Sequence, residues 1–154
     1  MPTVAVREPS PLLYPLLVRT LPPALARLIP PNRPADLLVL VPGCAPAPPL
    51  PSRGLLIPGH VSPSPLSPAQ VVSYGPSPRD TLTFSSLEEN KLLLSLQREI
   101  VTLAGTRLER QEFPVPDRGG VFLTLAWAGT LLLAGVPPEQ LAGMPQTTPA
   151  PPKP

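Results

Sequence analysis

The side chains best suited to metal binding or nucleophilic chemistry are the only histidine, His60 in Pro58-Gly59-His60, and the only cysteine, Cys44. A metal centre or a histidine-dependent triad needs further partners, and one thiol with one imidazole does not supply them. His60 reads as a turn residue, since no base or orienting group can be named for it. Glu88, Glu89, Glu99, Glu109 and Glu112 offer carboxylates for acid–base work. They fall on what reads as a polar, solvated surface, where a raised pKa is not expected. GxSxG, P-loop, GxGxxG and paired CxxC patterns are all missing from the sequence. The expectation is a protein that is not an enzyme, with no catalytic residue, cofactor, metal or small-molecule substrate.

Interaction chemistry is better represented. Pro48-Pro49-Leu50-Pro51-Ser52-Arg53 matches a PxxPxR ligand, in which a preformed polyproline helix docks into an aromatic groove. The same residues also suit an extended spacer. Ser10, Ser62, Ser64, Ser67 and Ser77 each precede proline and are candidate phosphate acceptors. The expected interaction residues are Pro48, Pro49, Leu50, Pro51, Arg53 and, toward the C-terminal tail, Met144.

Composition limits what can position these groups. Proline fills 29 of 154 positions, charged residues make up 14% and hydrophobic residues 42%. That hydrophobic share excludes highly charged disorder, and 10 glycines exclude collagen. One cysteine excludes a disulfide scaffold. The net charge is +2, and Arg7, Arg19, Arg27, Arg33, Arg53 and Arg79 are scattered singly. Nucleic-acid binders gather positive charge on one face, so no nucleic-acid partner is expected.

Proline fixes φ and removes a backbone donor, so long helices and central strands should avoid the proline-rich stretches. The chain divides accordingly into a proline-rich region 1–79, a compact segment 80–136 and a proline-rich tail 137–154. In the first region, Pro11 to Thr20 suits a short helix. Asp36–Val41, Gly54–Ile57 and Gln70–Tyr74 suit short strands. In the second, Thr81-Leu82-Thr83-Phe84 alternates as a strand does. Ser86 and Glu89 form a capping box, and Leu93, Leu96, Ile100 and Leu103 make one helical stripe ahead of Gly105. The reading is an α+β fold: one main helix at about 86–104 with short strands, flanked by extended proline-rich arms.

Residues 119–138 carry no charge, which meets the length of a membrane span. Four glycines, two threonines and a mid-run Trp127 fit a buried core better, as a strand through Trp127, a break at Gly129 and a short leucine-rich helix. The functional expectation is a structural or interaction subunit of a larger assembly, a virion component being the first example, with arms that contact protein neighbours. Virion or cytoplasm are the expected locations. A single-span membrane protein with its span at about 119–138 and a proline-rich adaptor are the alternatives.

Overall fold

A computed structural model describes residues 1–44, 53–62 and 70–144. The chain forms β1 (Thr3–Arg7), α1 (Leu13–Thr20), β2 (Arg27–Leu28), β3 (Leu37–Leu40), β4 (Gly54–Pro58) and β5 (Gln70–Tyr74). There follow β6 (Leu82–Glu88), β7 (Lys91–Leu96), β8 (Ile100–Val101), β9 (Arg107–Leu108), β10 (Gln111–Pro116), α2 (Val121–Ala134) and α3 (Pro138–Ala142). The fold is mixed α and β. Residues 45–52 and 145–154, on which most of the expected arm contacts fall, lie outside the described residues.

Eight strands make one sheet in the order β10-β7-β6-β5-β4-β3-β1-β2, and β8 pairs with β9 separately. From β2 through β6 neighbouring strands are parallel, while β7 and β10 add antiparallel partners. The sheet is continuous across the composition boundary at 79/80, because Tyr74 of β5 registers with Leu82 of β6. Side chains alternate between two cores, as a strand period of two requires. Val4, Val6, Leu37, Val39 and Leu56 face a large cluster containing the buried side of every helix. Ala5, Leu38, Leu40, Leu55 and Ile57 face the other way, into a small cluster to which no helix among the described residues contributes.

The helix expected at about 86–104 does not form. Residues 86–88 finish β6, Glu89 and Asn90 make the turn, and 91–96 return as β7. Leu92, Leu94 and Leu96 are the buried set, with Ser95 on the opposite face, so the leucines follow a strand period. Glu89 adopts φ +45, the geometry of a tight hairpin turn and not of a capping box. Pro114 and Pro116 sit in β10, at the edge of the sheet, where a missing N–H costs no ladder bond.

The uncharged run forms one continuous helix, α2, with no strand through Trp127 and no break at Gly129. Every residue from Thr124 to Ala134 is buried, against β4, β5, β6 and α1. A helix apolar all round belongs inside a core, which is why its sequence also resembled a membrane span. No helix among the described residues is long and apolar enough to cross a membrane. Gly129 lets α2 approach the sheet: a Cβ there would stand 3.0 Å from Leu56 Cδ2. Gly135 closes α2 at φ +113, its N–H donating to the Leu131 and Leu132 carbonyls. The Trp127 indole N–H donates to Thr20 Oγ1 at 2.9 Å, tying α2 to the end of α1, and the Arg118 guanidinium lies 4.3 Å over its ring.

Candidate functional site

The parallel part of the sheet runs β2-β1-β3-β4-β5-β6, its first five strands in an order met in doubly wound sheets. From β1 the chain moves through α1 to β2 on one side, then returns to place β3 on the other. Connections that leave the carboxyl ends of β1 and β3 therefore run to opposite sides, a switch point of the kind at which ligands bind in open α/β sheets. A cleft of about 860 Å³ lies beside it at the carboxyl ends of β1 and β2, lined by residues that follow those strands and bordered by Cys44 from beyond β3.

Its wall on the β1 side is Glu8 to Pro11. Leu12, the N-cap of α1, supplies no side-chain cap. Glu8 does so from further back: Oε1 accepts the N–H groups of Leu12 at 3.1 Å and Leu13 at 2.8 Å, and Oε2 that of Tyr14 at 2.8 Å. The side chain thus answers N–H groups that open the helix, that of Leu12 also donating to the Ser10 carbonyl at 2.9 Å, and an acidic residue suits this end of the helix dipole. Pro30, Pro31 and Asn32, beyond β2, form the opposite wall. Arg7 Nε donates to the Pro31 carbonyl at 3.4 Å, linking the two. On the β3 side, Gly43 turns at φ +102 and packs so closely that a Cβ would meet Pro9 Cγ at 2.9 Å. This turn delivers Cys44 to the cleft.

Behind the cleft, Tyr74 at the end of β5 reaches past β4 and donates its hydroxyl to the Leu40 carbonyl at 2.7 Å. Burial pushes its phenol far above the ordinary range, and the charges of Cys44 and Glu8 add to that. The Cys44 thiol is also pushed up, mainly by burial, with Arg7 opposing and Glu8 reinforcing. Both groups thus stay protonated near neutrality, the opposite of what an activated nucleophile needs. The Phe122 ring, from the first turn of α2, meets Tyr74 edge-on at 6.3 Å and His60 at 6.5 Å. Asp80 is buried in the β5–β6 turn, where Oδ2 accepts the Ser77 N–H at 3.2 Å.

Cys44 and His60 follow the carboxyl ends of the adjacent strands β3 and β4. It scatters the remaining acidic residues. Glu88 and Glu89 lie at the β6–β7 turn beside Lys91. Glu99 pairs with Arg107 at 3.2 Å on the surface, and Glu109 and Glu112 are exposed. Arg53 is exposed at the start of β4, its N–H on the Asp36 carbonyl at 3.1 Å. Met144 packs, partly buried, against the main core. Pro48, Pro49, Leu50 and Pro51 lie outside the described residues. Among the described residues no three His, Cys, Asp or Glu side chains are grouped to hold a metal.

Sequence reasoning missed Glu8, Tyr14 and Asn32. The alternating Thr3-Val4-Ala5-Val6-Arg7 was the available signal, since a strand there makes Glu8 the first residue of a strand-to-helix turn. No known protein family, curated protein or solved structure matches this chain.

Proposed function

We propose that the chain is a non-enzymatic interaction subunit that assembles through the outer face of α1. The observation that carries this reading is a second apolar stripe on that helix. Leu13, Leu16 and Leu17 face the core. Tyr14, Pro15 and Val18 lie on the outside at i, i+1 and i+4, with Pro11 just ahead of the helix, so Tyr14 and Val18 stand one turn apart as the anchors of a helix toward a partner do. Tyr14 is 40% and Val18 58% exposed, and Leu12 beside them is 64% exposed. A contiguous exposed apolar patch of this kind marks an interaction surface.

The reactive groups at the carboxyl ends of the parallel strands support the non-enzymatic half of the proposal. Glu8 is taken up by three amides, Tyr74 by a carbonyl, and Cys44 is held as a thiol. The sheet's own edges support contact through side chains. One edge carries Pro114 and Pro116, and the other is the two-residue β2 followed by Pro30 and Pro31, so neither offers a ladder to a further strand. The partner in this reading is a second copy, because the face carries only Arg19 as charge and closed two-fold pairing is the commonest assembly.

Size exclusion with light scattering on the full chain tests it. The wild-type chain should run as a discrete oligomer, and Val18→Asp should shift it to monomer with unchanged thermal unfolding. A wild-type chain that stays monomeric at high concentration defeats the proposal.

A further inference from the structure

The cleft at the carboxyl ends of β1 and β2 is built differently from the α1 stripe and points to a different ligand. Its volume of about 860 Å³ falls within the range of small-molecule sites. Four proline rings, Pro9, Pro11, Pro30 and Pro31, give it rigid apolar walls, and Tyr14 sets an aromatic ring at the rim. Rigid walls lose little entropy when a flat group slides between them, and an aromatic ring stacks such a group. The polar lining is sparse: Ser10, Asn32 and the protonated Cys44, which can read the edge of a ring by hydrogen bonds.

Charge then narrows the class. At a switch point the amides opening the helix after β1 are the usual seat of a phosphate. Here both oxygens of Glu8 already hold those of Leu12, Leu13 and Tyr14. An incoming phosphate would find those three amides taken and would meet a carboxylate. Arg7 and Glu8, the charged residues of the lining, are opposite in sign, so the cleft as a whole selects no ion. We infer that the cleft binds an uncharged, ring-bearing small molecule and turns away its phosphorylated counterpart. This stands apart from self-assembly, although Pro11 and Tyr14 border both surfaces.

Adenosine and adenosine monophosphate form a matched pair of probes, with indole as a smaller uncharged ring. Each is titrated into the full-length ¹⁵N-labelled chain and followed by NMR. Adenosine or indole should perturb the amides of Tyr14, Asn32 and Cys44 saturably, and the monophosphate should bind more weakly. Tyr14→Ala should weaken the uncharged ring roughly fivefold. Glu8→Gln should narrow the gap between nucleoside and nucleotide, with retained adenosine binding showing that the cleft still folds. Repeating the titration on Val18→Asp, which alters the stripe and leaves the cleft lining intact, separates this inference from the assembly proposal. No saturable shift with either uncharged probe overturns the inference, as does a monophosphate that binds as tightly as adenosine to the wild-type chain.

Discussion

Asp117 shows how much one side chain organises at the start of α2. Its Oδ1 accepts the N–H groups of Gly119 at 3.1 Å and Gly120 at 2.9 Å and the Thr124 hydroxyl at 3.2 Å. Thr124 Oγ1 in turn accepts the Arg118 N–H at 2.8 Å, so the turn is closed from both ends. These bonds, that from Gly120 above all, hold the Asp117 carboxyl below its ordinary value against a smaller opposing effect of burial. A carboxylate depressed on folding contributes stability above its unfolded pKa of about 4 and loses it as pH falls through the lower folded value. Asp117→Ala should therefore cost about 1 kcal/mol at neutral pH, the size of a lost helix cap. In urea titrations at a series of pH values, the gap between variant and wild type should shrink below about pH 4. A gap that does not change with pH would mean that the carboxylate charge contributes nothing there.

At the scale of elements, the β6–β7 hairpin separates two readings of the same leucines. A helical stripe buries Leu93 with Leu96, whereas a strand buries Leu92, Leu94 and Leu96 together. Leu94 is fully buried and Leu93 only partly so. Leu94→Ala should cost about 2–5 kcal/mol in chemical denaturation, and Leu93→Ala clearly less. Equal costs would contradict the strand. Parallel strands β3, β4 and β5 were legible in the sequence because each is a short apolar run bounded by proline or glycine. The short helix α1 was legible too, starting two residues later than Pro11. The hairpin was not, because Ser86 and Glu89 suit a capping box as well as a turn, and Lys91–Leu96 is too short a run for its period to be read alone. Alternation in Lys91–Leu96 is also blurred by Leu93, whose half-buried position lets an apolar residue stand where a polar one would signal the pleat. The candidate site was half legible: Cys44 and His60 stand out by type, while Glu8 matters only once β1, α1 and the crossover place it at a strand end.

For the whole molecule, order along the chain matters as much as order in the sheet. All eight strands of the main sheet precede Asp117, yet the helix that covers β4, β5 and β6 comes only afterwards. A chain ending at Asp117 would keep every strand and lose Trp127, Leu131 and Leu132 from the main core. Expressed in that form it should be insoluble, and adding residues 118–144 as a separate peptide during refolding should restore soluble protein. Soluble, cooperatively unfolding material from the short form alone would show that the sheet needs no cover. The same geometry has a consequence during synthesis. While the ribosome still holds residues 121–134, Leu56, Val72 and Leu82 have emerged without the helix that will shield them. The newly made chain thus passes through an interval of exposed apolar surface, and the speed with which its last third emerges sets how long neighbouring nascent chains can stick to it.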